Sequence, residues 1–412
     1  MKLFKIAFLL FCFQLTACAQ SQKSTIKKVE KQPTTFKVGA DRTNLYLNKL
    51  KGKNIAIVAN QTSIIHVLQR AEVSPNVMGS KLVAHHLVDY LHNYGNINVQ
   101  KVFAPEHGFR GKADAGEVVV DGIDTKTKLP IVSLYGKNKK PSQAQLEGID
   151  VVVFDIQDVG ARFYTYISTL HYVMEACAEA NIPVIVLDRP NPNGHYIDGP
   201  VLETEHTSFV GMHPVPVVYG MTIGEYGQMI NGEQWLKDKA QCDLTIVPIE
   251  GYTHEYQYSL PIKPSPNLPN DASINLYPSL CFFEGTNVSA GRGTNTQFQI
   301  YGSPFLKDFD YSFTPQPNEG AKYPKHKNEV CYGENLTETD ELAHLNLGWL
   351  LKAYQQTSAK EKFFNAFFTK LAGTKKLQQQ IEQGLSEKEI KNSWKSDLEA
   401  FKKTRAKYLI YK

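Results

Sequence analysis

Val151-Val152-Val153-Phe154-Asp155-Ile156-Gln157-Asp158 begins the stretch that decides the fold, and Val184-Ile185-Val186-Leu187 ends it. Short continuous apolar runs of this kind suit parallel strands buried on both faces, which have no solvated side to alternate toward. Between the two runs Ile167, Leu170, Val173, Met174 and Cys177 recur at helical spacing, and Asn181 and Pro183 stop the helix. Similar runs occur at 55–59, 99–104 and 131–134, and between the first two Leu82, Val83, Leu87, Val88 and Leu91 are spaced as a helix. Strands alternating with helices predict an α/β protein with a Rossmann-like doubly wound parallel sheet over 37–220. Ala59-Asn60-Gln61-Thr62 follows the first strand where a dinucleotide site needs Gly-x-Gly-x-x-Gly, so no dinucleotide is expected; no cofactor of another kind is expected either.

A chain of 412 residues is long enough for two domains. Its net charge of +4, without a long basic block, gives no reason to expect nucleic acid as a partner. With 21% charged and 42% hydrophobic residues, the composition is that of an ordinary globular body. From 221 to 412 the pattern changes to a smaller α+β C-terminal domain: a strand at 244–248, a Pro/Asn/Tyr-rich loop at 261–278, then helices. Ser386-Glu387-Lys388-Glu389 is a capping box, with Ile390, Trp394, Leu398 and Phe401 on one helical face beyond it. Cys177, Cys242, Cys281 and Cys331 have no zinc-like spacing and are expected as buried free thiols.

The N-terminus reads differently. Lys2 and Lys5 precede an apolar run at 6–15 that is too short to span a bilayer and fits an export signal. Leu15-Thr16-Ala17-Cys18 resembles the bacterial lipobox. A signal at 1–17 would be removed, Cys18 would carry the lipid as an anchor, and 18–36 would be a flexible tether.

Polar clusters follow the expected strands. Asn60-Gln61-Thr62 ends the first, and Glu106, His107 and Arg110 lie just past the second, in Ala104-Pro105-Glu106-His107-Gly108-Phe109-Arg110-Gly111. Asp155, Gln157 and Asp158 end the fourth, with Arg162 and Tyr164 beyond, and Asp188, Arg189 and Asn191 end the fifth. Parallel strands bring such ends to one rim, where open α/β sheets bind ligands. Carboxylates, amides, arginines and tyrosines, without a serine elbow or metal-spaced histidines, suit carbohydrate chemistry. Glycosidic cleavage needs a carboxylic acid to protonate the departing oxygen and a second group to handle water or the cationic centre. Glu106 is the candidate acid: burial beside Phe109 would raise its pKa, while Arg110 or a protonated His107 would oppose that. His107 is either a substrate contact or a support behind one. A hard cation held by Glu106, His107, Asp155, Asp158 and Asp188 is disfavoured, because adjacent Glu and His side chains at a strand end diverge and arginines crowd the rim; no metal is expected. A second constellation, 283–294, either forms a tight turn capped by Glu284 or offers Glu284, Asn287 and Arg292 to a ligand between the domains; the second is favoured.

Asn60-Gln61-Thr62, 103–111, Asp114-Ala115-Gly116-Glu117, Ser133-Leu134-Tyr135-Gly136, 154–166, 187–192, Pro264-Ser265-Pro266-Asn267 and 283–294 together resemble the NamZ/YbbC-type exo-β-N-acetylmuramidases. The resemblance is specific over 54–304 and looser beyond. It implies a glycosidase that releases N-acetylmuramic acid from the non-reducing end of peptidoglycan fragments, with its site between a Rossmann-like domain and a smaller one. The family's proposed catalytic glutamate falls on Glu106; the second carboxylate is expected, from the residues themselves, to be Glu284 or Asp158. Asn60, Asp155, Gln157, Tyr164, Asn191 and Asn287 are candidate substrate contacts, and Arg110, Arg162, Arg189 or Arg292 would grip the lactyl carboxylate of muramic acid. The sequence departs from the family at Thr294-Asn295-Thr296-Gln297-Phe298, where a proline is expected after Arg-Gly-Thr, so the substrate edge is expected to differ there. With the lipobox, the implied place is the cell envelope, anchored in the outer membrane and facing the periplasm. A non-catalytic sugar- or muropeptide-binding lipoprotein is the alternative; it would not need Glu106.

Overall fold

The computed structural model describes residues 36–74, 77–111, 117, 120–306 and 308–411. The signal, Cys18, the tether up to 35 and Asp114-Ala115-Gly116 lie outside the described residues. In chain order the first strands are β1 Asn54–Ala59, β2 Ile64–Ser74, β3 Val77–His86, β4 Asn98–Ala104, β5 Gly122–Ile123, β6 Pro130–Ser133, β7 Val151–Asp155, β8 Val184–Leu187 and β9 Leu244–Val247. Seven of them form one sheet in the order β5-β6-β4-β1-β7-β8-β9, parallel throughout except for β5 against β6. Counted among themselves the parallel strands run third, second, first, fourth, fifth, sixth, which is the doubly wound Rossmann order.

Both faces are buried, as the unbroken apolar runs require. Ile55, Ile57, Val151, Val153, Ile185 and Leu187 enter one core, while Ala56, Val58, Val152, Phe154, Val184 and Val186 enter the other. Each such branched or aromatic side chain contributes about 1.5–3 kcal/mol on burial. The helix Tyr166–Ala180 covers the second face with Ile167, Leu170, Val173, Met174 and Cys177, and Asn181 ends it in the left-handed conformation (φ 54°, ψ 40°).

Three expectations need correction. Leu82 and Val83 are not helical: β2 and β3 form an antiparallel hairpin in which Leu68 faces Leu82 and Val67 faces Val83, and only Leu87–His92 is helix. Cross-strand pairing of branched side chains outweighs an apolar period that lasts barely two turns. The strand expected in the second domain is β9, the sixth parallel strand, so the sheet runs past residue 220. The loop at 261–278 gives way to a helix, Asp271–Leu280, started by an Asn270–Ser273 capping box and holding Pro278 in its last turn.

The C-terminal part carries a three-stranded antiparallel sheet of β10 Ile300–Ser303, β11 Tyr311–Phe313 and β12 Cys331–Asn335, in the order β10-β12-β11. Helices follow at Gly348–Gln356, Phe367–Ala372, Lys376–Glu382, Glu387–Ser393 and Lys395–Arg405. The Ser386–Glu389 capping box forms, and Ile390, Trp394 and Phe401 are buried. The four described cysteines are buried free thiols. Among the described residues no helix is long and apolar enough to cross a membrane.

Candidate active site

The crevice at the switch point of the sheet, between the ends of β1 and β7, is closed by the chain itself. Ser63 Oγ donates to the Asp155 carbonyl at 2.5 Å, and the Gln157 amide donates to Thr62 Oγ1 at 3.0 Å. Asn60 Nδ2 donates to the Tyr166 hydroxyl at 2.8 Å, so Asn60 holds a neighbour rather than facing open space.

The open space lies beside it. A cavity of about 230 Å³ is lined by Glu106, His107, Tyr135, Tyr164, Thr165 and Tyr166 from the sheet side and by Asn267, Tyr277, Glu284, Arg292 and Phe298 from the chain beyond 261. Glu106 follows β4 on a turn closed by Gly108 N to Pro105 O at 3.0 Å. His107 adopts φ 69° and Gly108 φ 76°. A non-glycine residue held at positive φ stores strain of order 1–3 kcal/mol, which structures tolerate chiefly at functional sites.

Thr165 stands at the N-cap of the helix Tyr166–Ala180, yet its hydroxyl caps nothing in that helix. It donates instead to Glu106 Oε2 at 2.6 Å. A threonine cap is worth about 1 kcal/mol, and here that bond is given up to orient a carboxylate at the positive end of a helix of 15 residues. Tyr135, past the end of β6, also faces Glu106: burial first, and then the Glu106 charge, push its phenol above the ordinary range.

Glu284 enters from the short helix Cys281–Gly285, and its Oε1 meets Arg292 Nη1 at 3.1 Å. The loop that carries Arg292 is held from behind. Lys325 Nζ donates to the carbonyls of Phe283 at 2.9 Å and Val288 at 3.0 Å and to that of Thr286, and burial lowers its pKa to about 8. Gly293 sits at φ 84°, where an added Cβ would lie 2.6 Å from Pro324 and 2.7 Å from the Gln316 carbonyl, so only glycine lets the loop fold against that wall.

The other candidate residues do not line this cavity. Asp155 and Arg189 form a buried two-pronged ion pair at 2.6 and 2.9 Å, and Arg189 also bonds the Ile64 carbonyl. Asp158 is fully buried, accepts from the Tyr219 hydroxyl and from Gly160 N at 2.8 Å, and is raised by burial to about 6. Asp188 caps the helix Ile223–Gly232 through Gly224 N at 2.8 Å and takes the hydroxyls of Thr222 and Tyr411. Arg110 lies over the Phe109 ring and pairs with Asp124 at 2.9 Å and Asp89 at 3.3 Å. Arg162, with no exposed surface, donates to four carbonyls: Pro200 and Val215 at 2.7 Å, Leu371 at 2.9 Å and Ala372 at 2.7 Å. Gln157 and Asn191 bond backbone carbonyls, of Pro190 at 2.6 Å and Met221 at 2.8 Å; the Asn287 backbone carbonyl accepts from His326, while its side-chain amide is buried with no hydrogen-bond partner among the described residues. These residues hold the rim together; the cavity belongs to Glu106, His107, Tyr164, Glu284 and Arg292, joined by Thr165, Tyr135 and Asn267, which residue-type reasoning passed over.

The fold is a doubly wound α/β protein whose cavity is faced by two carboxylates and one arginine, and paired carboxylates are the groups that glycosidic cleavage uses. Residues 55–272 match the model described as exo-beta-N-acetylmuramidase NamZ, N-terminal, and residues 275–411 match its C-terminal counterpart. The chain belongs to the exo-β-N-acetylmuramidase NamZ family. It is 37% identical to the peptidoglycan beta-N-acetylmuramidase NamZ of Bacillus subtilis (strain 168), over 96% of this chain and 95% of that one. Two crystal structures of DUF1343 family proteins from Bacteroides fragilis NCTC 9343 are similar. One shares 45% identity with a TM-score of 0.81, covering 92% of this chain and 99% of its own. The other shares 28% identity with a TM-score of 0.75, covering 92% and 100%.

Proposed function

We propose that this enzyme is a peptidoglycan exo-β-N-acetylmuramidase in which Glu106 protonates the departing glycosidic oxygen. It hydrolyses the β-1,4 bond of a non-reducing terminal N-acetylmuramic acid, in turnover or recycling of the cell wall. The observation that carries the role of Glu106 is its carboxylate, oriented by Thr165 at 2.6 Å, in the cavity that also holds Glu284. Glu284 is the second carboxylate, stabilising the oxocarbenium-like centre or activating water. Of the four candidate arginines Arg292 alone lines the cavity, and a guanidinium there matches the lactyl carboxylate that separates muramic acid from glucosamine. Incubation with a chromogenic β-N-acetylmuramide and the matching glucosaminide tests this: the muramide is cleaved in preference, and release from neither would refute the hydrolase.

The lipobox supports a lipid anchor at Cys18 and a place in the cell envelope, in the outer membrane facing the periplasm. Cys18→Ser is expected to move the protein from the membrane to the soluble fraction; unchanged fractionation would refute the anchor.

A further inference from the structure

Glu106 and Tyr135 reach the cavity in register. β4 and β6 pair in parallel with Ala104 opposite Ser133, and Leu134 N donates to the Ala104 carbonyl at 2.8 Å. Two residues past each of these partners stand Glu106 and Tyr135, and both line the cavity. The Tyr135 amide donates to Ser133 Oγ at 3.2 Å, and its ring lies 6.0 Å from that of Phe209, which lines the same space. The half-buried phenol so held faces the Glu106 carboxylate, whose Oε2 already accepts from Thr165 at 2.6 Å.

Two other phenols feel the Glu106 charge, and both are differently disposed. The Tyr164 hydroxyl is closed to solvent, and that of Tyr166 accepts from Asn60 at 2.8 Å and donates to the Pro264 carbonyl at 3.3 Å. Burial first, then Glu106, then the charge of Glu284 hold the Tyr135 phenol above its ordinary range, so it keeps its proton and meets a carboxylate only as a donor. Among the described residues the other ionisable groups lining the cavity are His107, Tyr277, Cys281 and Arg292, the last paired with Glu284 at 3.1 Å.

In glycosidic cleavage the acid's O–H gives its proton to the departing oxygen. The bond from C1 to that oxygen breaks with its electron pair going to the oxygen, and a carboxylate is left behind; water then supplies the hydroxyl at C1 and a proton to a carboxylate. Negative charge therefore grows on the acid as the transition state is approached. A donor aimed at that carboxylate bonds it more strongly there than in the ground state, and only such interactions speed the step. We propose that Tyr135 is a positioning residue acting through Glu106: its phenol donates to the carboxylate that forms there and shares the new charge with Thr165. The proposal rests on the muramidase function above, with Glu106 as its acid, and adds the group that answers the charge the proton leaves.

The test compares Tyr135→Phe with the wild type on two substrates. One is the disaccharide N-acetylmuramyl-β-1,4-N-acetylglucosamine, whose departing oxygen needs a proton. The other is a 2,4-dinitrophenyl β-N-acetylmuramide, whose departing phenolate does not. Phenylalanine keeps the ring beside Phe209 and removes only the hydroxyl. On the disaccharide kcat/KM is expected to fall by about 10- to 100-fold, the effect of one hydrogen bond to a charged group. On the dinitrophenyl compound it is expected to hold. The alkaline limb of the disaccharide profile is also expected to move to higher pH, because the charged form of the acid has lost a donor. Equal losses on both substrates, an unchanged disaccharide rate, or an alkaline limb that stays in place overturns the role of Tyr135 while leaving the muramidase intact. Glu106→Gln is measured alongside and is expected to lose the disaccharide selectively; equal loss on both compounds removes Glu106 as the acid and Tyr135 with it. Cleavage of neither compound by the wild type overturns the muramidase itself.

Discussion

The sheet ends in two polar regions that look alike in composition and behave oppositely. Beyond β7 and β8, Asp155 pairs with Arg189, Asp158 with Tyr219, and Asp188 with Thr222, Gly224 and Tyr411. Glu106 beyond β4 and Tyr135 beyond β6, with Thr165 at the start of the helix Tyr166–Ala180, face a cavity that Glu284, Arg292 and Asn267 close from the other side. The first region builds the rim and the second faces open space. An ionisable residue at a strand end is thus a weak sign of chemistry until its partners are known, and partners are what separate these two sets.

The sharpest break between the regions is Glu106→Gln. The variant keeps an oxygen for Thr165 to donate to, so its melting temperature should hold, while turnover falls by about 10²–10⁴, the usual worth of a general acid. Turnover within tenfold of the wild type would remove Glu106 from the chemistry. Arg189→Met acts on the opposite set. It leaves the Asp155 carboxylate buried without its partner, an expected loss of about 3–5 kcal/mol in urea unfolding, with kcat per folded molecule unchanged. A loss of kcat in the folded fraction would bring Arg189 back to the substrate.

The smallest expected effect appears as a pH dependence. Burial raises Asp158 from 3.8 to about 6. A carboxyl whose folded pKa lies above its unfolded one favours the folded state fully below about pH 4, and loses that contribution as pH rises through 6. Asp158→Asn removes the titration. Between pH 4 and pH 7 the variant should therefore gain on the wild type by up to about 3 kcal/mol, read from paired unfolding curves. Parallel curves would mean that Asp158 does not titrate in this interval.

The parallel sheet was legible because burial on both faces forces unbroken runs such as Val151 to Phe154, and little else in a chain looks like that. The hairpin β2–β3 was not, because Leu82 and Val83 fit a short helical period as well as a strand, and only the pairing with Leu68 and Val67 decides. At the site, Glu106, Glu284 and Arg292 were visible as charges among glycines. Arg162 and Arg189 carried the same signal, since residue type says nothing of what answers it: Arg162 meets a carbonyl 209 positions away. Thr165, Tyr135 and Asn267 are neutral and lay unremarked inside stretches already noted. The absent cap at Thr165 and the carboxylate facing Tyr135 are properties of three-dimensional neighbours.

Arg162 has one more consequence. Its guanidinium, which burial brings down to about 9, is answered only by carbonyl oxygens among the described residues: Pro200 and Val215 on one side, Leu371 and Ala372 at the end of the helix Phe367–Ala372 on the other. That helix supplies Phe367 and Leu371 to the cavity wall. Swinging that helix outward would strand a desolvated cation, a cost that opposes opening of the cavity on this side. One buried side chain thus ties the helix that supplies Phe367 and Leu371 to the chain at Pro200 and Val215.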